Sequence, residues 1–371
     1  MNFAYSIAAG NCHSIFLDDF HVWSSGLNSY GQIAQPGLSK SLAHRIDNLY
    51  KIQAVACGSF TSFFLDETGQ VLACGWNQYQ QLALGDKVKI EIPECIPNLP
   101  KIIQVSAGSR HSLFLDLDGQ VWVCGNNEDG QAGMGEAHTI SIPEAIPNLP
   151  SIKAVSAGTY FSLFLDDEGG VWGCGENAKG QLGQGDTLPR IHPTKLLRAD
   201  SASMKDLPPM ISISAGNTHS LLLDEEGDVW KTGQQFGSKS VITTPRKYLD
   251  IPKMIMISAS QHSLFLDNGG RAYSAGDNRE GQLGGHSSQD IPMLIQPLEQ
   301  LSAFIIHISA GQTHSLFMDR KGTAYSCGNN NYFQCALPTG KALRRISDLP
   351  PLKLEREFIL STNVKSARTA M

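Results

Sequence analysis

The 371-residue chain carries 29 Lys and Arg against 35 Asp and Glu, a formal net charge of -6, and 41% of its residues are hydrophobic. This composition is typical of a globular protein, and because no basic run is present, a nucleic-acid partner is not expected. No stretch approaches the roughly 20 apolar residues of a membrane helix, and the first residues lack a signal-peptide pattern, so a membrane partner is not expected either.

The placement of the cysteines predicts free thiols. The chain has 8 cysteines, and four of them precede a glycine at one position of a repeated segment: Cys74, Cys124, Cys174 and Cys327. Equivalent positions of neighbouring repeats are expected to lie too far apart for a disulfide bond, which requires Cα atoms within about 7 Å. We therefore expect a reducing compartment and a cytoplasmic protein. The sequence leaves open whether it acts in its own cell or is delivered into the cytosol of another.

A segment of about 50 residues recurs along the whole chain, and such periodicity is the signature of a repeat architecture. Its clearest copy runs from Val105-Ser106-Ala107-Gly108 through His111-Ser112-Leu113-Phe114-Leu115-Asp116 to Gly119-Gln120-Val121-Trp122-Val123-Cys124-Gly125. The first glycine of the unit marks 7 copies, with a serine in the sixth: Gly10, Gly58, Gly108, Gly158, Gly216, Ser260 and Gly311. The spacings of 48, 50, 50, 58, 44 and 51 residues are too regular for chance.

In chain order, Phe3–Ala9 reads as the first strand, and each copy then alternates apolar and β-branched residues between Asp and Gly, which is typical of short antiparallel strands. Small twisted sheets bury their faces by stacking radially. The sequence therefore predicts an all-β, seven-bladed β-propeller of four-stranded antiparallel blades over residues 1–352. We expect the N-terminal strand to join a sheet completed by Ile346–Leu352, so that N- and C-terminal strands close the ring, and residues 353–371 to form a closing strand or flexible tail.

The alternation of strand direction assigns the connections of each copy to two faces. The Gly-x-x-His and Gly-x-Asn-x-x-Gly loops share one face, here called the loop face, and the Asp-x-x-Gly turns share the other, the turn face. Turn segments such as Asp116–Gly119 are nearly uniform, and Asp and Gly are the residues that tight turns require, so this face is interpreted as structural. The extra residues at 198–209 predict a surface loop on the turn face, with a partner-specific contact as the alternative.

The loop face differs, because the two residues between Gly and His change from copy to copy. Large side chains stand there in three successive copies, Phe60, Arg110 and Tyr160, and Trp76 and Tyr79 belong to a loop on the same face. Aromatic residues and arginine are the anchors that protein interfaces favour. The predicted partner-binding residues are Phe60, Trp76, Tyr79, Arg110, Tyr160, Asn217, Gln261 and Gln312. The alternative is that these side chains pack over their own blades and contact no partner.

The repeated histidines are interpreted as structural. They occupy one position of the unit in separate blades, too far apart to share a metal ion, and Thr61 and Phe161 replace them in two copies: His13, His111, His219, His262 and His314. No Cys-x-x-Cys pair, Walker loop, nucleophile elbow or His-Glu-x-x-His motif occurs, and no catalytic residue, metal or cofactor is expected.

The motif Ala-Gly-x-x-His-Ser, followed by Gly-x-Val-Trp-x-Cys-Gly-x-Asn-x-x-Gly-Gln-Leu-Gly, resembles the RCC1-like repeat and covers residues 1 to about 350. The resemblance implies a seven-bladed propeller and a protein partner, since the best-known member is a guanine-nucleotide exchange factor for the small GTPase Ran. In that family, acidic and histidine side chains of the Gly-x-x-His loops contact the GTPase, and a short β-wedge helps displace the nucleotide. Here those loops carry Arg110, Tyr160 and Gln261, and a wedge is conceivable only within Met134–Ile142.

Three functions therefore remain open at the level of the sequence. The first is a regulator or exchange factor of a Ran-like small GTPase. The second is a non-catalytic scaffold or inhibitor that uses the same loop face on another protein. The third is an enzyme with a pocket on the propeller axis, which would need converging polar groups that one sequence cannot locate. A monomer is expected in each case.

Overall fold

The structure, a computed structural model, describes residues 6–18, 21–196, 207–234, 240–285, 287, 289–295, 298, 302–337 and 344–345. Within these ranges the strands form seven four-stranded antiparallel sheets, and each sheet takes its strands in chain order. The all-β, seven-bladed propeller that the repeat predicts is confirmed.

The first four blades have nearly equal strand lengths. Their strands are β1 (Ser6–Ala9), β2 (His13–Leu17), β3 (Val22–Leu27) and β4 (Lys40–Ile46); β5 (Ile52–Cys57), β6 (Thr61–Asp66), β7 (Val71–Trp76) and β8 (Lys89–Cys95); β9 (Ile102–Ala107), β10 (His111–Asp116), β11 (Val121–Asn126) and β12 (Thr139–Ala145); β13 (Ile152–Ala157), β14 (Phe161–Asp166), β15 (Val171–Gly175) and β16 (Arg190–Lys195).

The last three blades repeat the same order. Their strands are β17 (Met210–Ala215), β18 (His219–Asp224), β19 (Val229–Gly233) and β20 (Ile242–Lys247); β21 (Met254–Ala259), β22 (His262–Asp267), β23 (Ala272–Gly276) and β24 (Gln289–Leu294); β25 (Ile305–Ala310), β26 (His314–Asp319), β27 (Ala324–Gly328) and β28 (Arg344–Arg345).

The hydrophobic core lies between neighbouring blades. The second strand of a blade, such as β10, is buried along its whole length, whereas the outermost strand β12 is mostly exposed and buries only Ile140 and Pro143. Phe63 of the second blade packs against Phe114 of the third with ring centroids 6.0 Å apart. Because each core is shared by two blades, a blade is stable only beside its neighbours.

On the turn face, one carboxylate holds each turn together. The Oδ1 atom of Asp116 accepts the backbone N–H groups of Asp118 at 3.0 Å and Gln120 at 2.9 Å, and its Oδ2 atom accepts the Trp122 indole N–H at 2.8 Å. Five further carboxylates of the described residues accept a turn N–H and the indole or hydroxyl of the following aromatic residue: Asp18, Asp166, Asp224, Asp267 and Asp319. The structural interpretation of these aspartates is confirmed.

A buried polar relay joins five of the seven blades to the next blade. The Ser162 hydroxyl donates to the carbonyl of Gln131 at 2.6 Å, so the imidazole of His111, 2.9 Å from the same hydroxyl, must donate through its Nε2–H. The equivalent contacts to serine are made by His13, His219, His262 and His314. All five histidines are buried and hydrogen-bonded across a blade boundary, which confirms their structural role.

The ring closes differently from the expectation. Strand β1 pairs with β2 of its own blade, and β28 completes the seventh blade by pairing with β27, so among the described residues no sheet takes strands from both ends of the chain. Closure instead comes from packing and hydrogen bonds between the first and seventh blades, among them Ala9 N–H to the Ser309 hydroxyl at 3.0 Å. The expected closing segment Ile346–Leu352 and the tail 353–371 lie outside the described residues.

Candidate protein-interaction face

The loops of the loop face have a rigid backbone. In the loop between β11 and β12, the side-chain amide oxygen of Gln131 accepts the N–H of Asp129 at 2.9 Å, and that of Asn127 accepts the N–H of Ala132 at 3.0 Å. The glutamine contact recurs around the ring and fixes the backbone N–H of one outward residue in each of these loops: Tyr30, Tyr79, Asp129, Lys179, Glu280 and Tyr332. The outward side chain can therefore vary without loss of the loop.

Three aromatic rings meet at the junction between the first and second blades. Tyr30 lies 5.4 Å from Phe60 and 5.5 Å from Trp76 between ring centroids, and Phe60 lies 6.1 Å from Trp76 in an edge-on arrangement. Each of the three side chains is partly exposed. Ring pairs at these separations stabilise one another.

The cluster continues across the second and third blades through an arginine. Tyr79 packs edge-on against Trp76 at 5.2 Å, and the guanidinium of Arg110 lies 4.5 Å from the centroid of Tyr79 and 5.5 Å from that of Tyr160. Within the described ranges no carboxylate lies within 4.0 Å of this guanidinium. The arginine is thus in contact with two rings and partly exposed, and no described residue accepts a hydrogen bond from its guanidinium.

Five of the residues predicted from the sequence thus form one continuous surface with Tyr30: Phe60, Trp76, Tyr79, Arg110 and Tyr160. The other three lie in the equivalent loops of the remaining blades. Asn217 lines the mouth of the central cavity rather than the aromatic surface, and Gln261 and Gln312 are partly exposed in the sixth and seventh blades. Whether any of the eight contacts a partner stays a prediction.

Sequence reasoning missed Tyr30, although a signal for it exists. In Asn28-Ser29-Tyr30, the tyrosine holds the place that Tyr79 holds in Asn77-Gln78-Tyr79, and Tyr332 holds the same place in the seventh blade. Tyr332 is 40% exposed. A blade-by-blade comparison of this loop position would have extended the predicted surface to Tyr30 and Tyr332.

Acidic residues were also missed, because they lie outside the Gly-x-x-His loops. Asp129 and Glu176 stand in the neighbouring loops of the third and fourth blades. Partial burial and the charge of Glu128 raise the pKa of Asp129, while Arg110 opposes the shift. Partial burial and the charge of Asp129 raise the pKa of Glu176. The charge of Asp129 therefore acts on Glu176, and the charge of Arg110 acts on Asp129.

The central channel has few side chains that could take part in catalysis or metal binding. Its cavity of about 270 Å³ is lined mostly by Gly, Ala and Ser residues from all seven blades, with a few larger apolar and amide residues such as Ile7, Val105 and Asn217. Among the described residues, no group of three His, Cys, Asp or Glu side chains could hold a metal ion. Among the described residues, four of the buried histidine rings have no hydrogen-bond partner for Nδ1: His13, His111, His262 and His314. Catalytic groups do not converge on the axis within the described part of the chain.

The structure tests the hypothesis of a β-wedge in the third blade but describes little of the insertion at 198–209. The segment Met134–Ile142 holds no extra hairpin, because Gly125 pairs with Ile140 across the same loop length that separates Gly75 from Ile90 in the second blade. The conceivable wedge is therefore absent there. The insertion at 198–209 lies outside the described residues except for its last three positions.

Within the described ranges, no helical segment is both long enough and apolar enough to cross a membrane.

Curated relatives share short parts of this chain. The Protein RCC2 homolog of Xenopus laevis is 32% identical over 140 residues, 33% of this chain and 26% of that protein. The guanine nucleotide exchange factor SRM1 of Saccharomyces cerevisiae is 31% identical over 144 residues, 35% of this chain and 30% of that protein. The chain thus covers less than a third of the length of these relatives.

Solved structures show the same architecture. Human WBSCR16 superposes with a TM-score of 0.77 at 22% identity, over 88% of this chain and 94% of that one. Prp20p of Saccharomyces cerevisiae, whose structure was described together with its binding properties to Gsp1p and histones, superposes with a TM-score of 0.70 at 25% identity, over 82% of this chain and 80% of that one.

Family comparison covers both halves of the ring. The RCC1-like domain matches residues 2–208, and the regulator of chromosome condensation (RCC1) repeat matches residues 269–318 and 305–334. The first match alone spans more than half of the chain, and the repeat it describes is the one that builds the seven blades. The protein therefore belongs to the RCC1-like domain family.

Proposed function

We propose that this protein binds a Ran-like small GTPase through its loop face and regulates it. The observation that carries the proposal is the continuous surface from Tyr30 to Tyr160, which presents rigid aromatic anchors and an unpaired arginine on a propeller of this family. Relatives that support it include the exchange factor SRM1 and the human RCC1-like G exchanging factor-like protein. Interface hot spots are enriched in tryptophan, tyrosine and arginine, which are the residues of this surface.

Binding and nucleotide exchange are separate parts of this proposal. The resemblance ties exchange to acidic side chains in the Gly-x-x-His loops and to a wedge, whereas those loops here carry Arg110, Tyr160 and Gln261 and Met134–Ile142 adds no hairpin. These two observations favour a second function, a non-catalytic scaffold or inhibitor that uses the same face. Both functions require the aromatic surface, and they differ only in whether nucleotide release is accelerated.

The test uses the full chain and a Ran-like GTPase loaded with fluorescent GDP. Affinity is measured first, and the rate of GDP release is then followed with increasing amounts of the propeller. We expect micromolar or tighter binding and only modest acceleration. Acceleration by several orders of magnitude would establish an exchange factor, binding without acceleration would establish the scaffold or inhibitor, and the absence of binding would refute the GTPase as partner.

We also propose that the protein acts in a reducing compartment such as the cytoplasm. All eight cysteines are free thiols, and burial raises the pKa of the Cys57 thiol to about 12, which disfavours its oxidation. Thiol titration of the denatured protein, isolated from its own cells under alkylating conditions, should give eight thiols per chain. A smaller number would indicate that the native protein carries disulfide bonds.

A further inference from the structure

The connection between the sixth and seventh blades is longer than its counterpart between the second and third. Nine residues separate Ile295 from Ile305, whereas five separate Ile96 from Ile102. The ends of the two connections are equivalent. At both junctions the first isoleucine donates its backbone N–H to the residue that begins the third strand of a blade, and the second isoleucine donates to a turn glycine. The connection at the sixth and seventh blades therefore has four additional residues.

A cavity of about 240 Å³ lies at this junction, on the turn face. Much of its lining is apolar and comes from the long connection: Leu294, Ile295, Leu298, Ala303 and Phe304. An apolar cavity of about 150 Å³ is large enough to bind benzene. The cavity at this junction therefore has room for a group of the size of a leucine or phenylalanine side chain.

Two guanidinium groups line the same cavity, and they differ in their partners. Arg271 donates its Nε–H to Asp267 Oδ2 at 2.8 Å. The guanidinium of Arg320 lies 5.1 Å from the ring centroid of Phe304, and no carboxylate of a described residue lies within 4.0 Å of it. Arg320 thus places a positive charge beside an apolar cavity, and its contact with the ring does not neutralise that charge.

The second blade has an ion pair at the same two positions. In both blades the residue after the turn aspartate donates its backbone N–H to the residue before the first strand, Glu67 to Lys51 at 3.0 Å and Arg320 to Phe304 at 2.9 Å. The side chains of Lys51 and Glu67 form a salt bridge. In the seventh blade, phenylalanine replaces the lysine and arginine replaces the glutamate. The position that supplies an acid in the second blade therefore supplies a cation here.

We infer that this cavity binds a carboxylate that carries a small apolar group, with the apolar group on the apolar lining and the carboxylate on Arg320. A guanidinium can hold a carboxylate through two parallel N–H···O bonds. Because Asp267 already offsets the charge of Arg271, a singly charged carboxylate matches the cavity better than a doubly charged phosphate. The C-terminal residue of a polypeptide and a free short-chain acid share this chemistry. The site lies on the face opposite the loop face and does not depend on a GTPase partner.

The first experiment titrates the full chain with 4-methylpentanoate and follows the ring signals of Phe304 by NMR. We expect saturable shifts with a dissociation constant on the order of 1 mM, as is usual for so small a ligand. The corresponding amide lacks the charge and acetate lacks the apolar group, so each should bind at least about tenfold more weakly. The absence of saturable shifts with 4-methylpentanoate, or equal affinity for the acid and either counterpart, overturns the inference.

A matched pair of variants tests the role of Arg320. Arg320→Gln removes the charge beside the cavity, and Lys321→Gln removes a neighbouring charge whose side chain does not line it. Both residues are exposed, and melting curves verify that both variants are folded. We expect Arg320→Gln to weaken binding of 4-methylpentanoate at least about tenfold and Lys321→Gln less than about twofold. Equal losses would show that binding follows the general charge of the turn face, which overturns the inference.

N-acetyl-leucine distinguishes the two sources of the ligand, because it carries the same isobutyl group and a carboxylate on a peptide backbone. Tighter binding of N-acetyl-leucine than of 4-methylpentanoate supports the inference with a polypeptide C-terminus as the source. Weaker binding supports it with a free acid as the source. In both cases the affinity must fall in Arg320→Gln, and binding of either probe that persists unchanged in this variant overturns the inference.

Discussion

The two faces of the propeller use the same repeat in opposite ways. On the turn face, the recurring aspartate stabilises the turn itself. The carboxylate of Asp116, for example, accepts two backbone N–H groups and an indole N–H. On the loop face, the recurring Gln131 is buried beneath the loop and holds the backbone of Asp129. The outward residues there do not stabilise the loop. Their side chains, and with them the function, can therefore vary from blade to blade while the loop backbone keeps its conformation.

The faces are also coupled differently to the core. The carbonyl of Gln131 receives the Ser162 hydroxyl, which in turn receives the Nε2–H of His111. The loops of the loop face are thus anchored to the hydrogen bonds that join neighbouring blades. The turns are closed within a single blade by the aspartate, and the turn backbone also reaches the next blade, since the carbonyl of Gly119 accepts the N–H of Ile152 at 2.9 Å. Both faces are therefore tied to the blade boundaries, the loop face through side chains and the turn face through the backbone.

The largest expected effect tests the blade boundary. A Cβ atom on Gly108 would overlap the carbonyl oxygen of Gly158 and lie 2.5 Å from Cε1 of His111, so Gly108→Ala should cost about 4 kcal/mol or more of the free energy of unfolding, and Gly108→Val more still. Urea unfolding monitored by tryptophan fluorescence measures this cost.

The matched control for this substitution is Gly269→Ala. At Gly269 the added Cβ atom meets only Asp267 Oδ1 at 3.2 Å and Arg271 Nε at 3.6 Å, outside the left-handed region. It should change stability by less than about 1 kcal/mol. Equal losses at Gly108 and Gly269 would contradict the account of the blade boundary.

The next effect tests the claim that turn-face aspartates are structural. Asp116→Ala leaves two buried or partly buried N–H groups and the Trp122 indole without their acceptor, which should destabilise the chain by about 2–3 kcal/mol. The exposed neighbour Asp118 should tolerate alanine with a change of about 0.5 kcal/mol or less. Thermal melting curves compare the two, and similar melting temperatures for the two variants would refute the distinction.

A comparable effect on binding, with little effect on stability, is expected on the loop face. Phe60→Ala, Arg110→Ala and Tyr160→Ala should each weaken partner binding by about 2 kcal/mol, roughly thirtyfold, if they are hot-spot anchors. Asp118→Ala and Glu226→Ala on the turn face should leave affinity unchanged. Isothermal titration against the GTPase gives both values, and melting curves verify that each variant is folded. Loss of affinity only in the turn-face variants would reverse the assignment of the faces.

The smallest effect concerns pH. Burial lowers the pKa of His111 to about 3 from an unfolded value near 6.5, so the fold favours the neutral ring. Stability from this residue is complete above pH 6.5 and is lost as pH falls towards 3, by on the order of 1–2 kcal/mol at pH 5. His111→Phe, which copies Phe161 of the next blade, should lose less stability between pH 7 and pH 5 than the wild type.

The readout for the histidine prediction is the difference in the midpoint of urea unfolding between pH 7 and pH 5. The same buried state lowers the pKa of His314 to about 3 and of His13 to about 4, so the effect of one substitution is a fraction of the whole. An identical decrease in the wild type and in His111→Phe would show that carboxylates, and not the blade-boundary imidazoles, govern the response to acid.

The repeat made the fold and the anchor surface predictable, but not the details that depend on three-dimensional neighbours. Regular glycine spacing marks the blades, and variation after Gly58 and Gly108 indicated Phe60 and Arg110. The pairing of β1 within its own blade was not foreseen, because strand alternation does not say whether a terminal strand pairs within its own blade or with the last one. Asp129 and Glu176 were missed because only the assembled ring brings loops of two blades together.

The most direct test of the central claim is amide hydrogen exchange of the full chain with and without the GTPase at saturating concentration. We expect protection in the loop-face segments 28–34, 59–60, 76–82 and 109–110, and unchanged exchange in the turns at 66–69 and 116–119. Protection confined to the Asp-x-x-Gly turns, with the loop-face segments unaffected, would contradict the assignment of the binding surface.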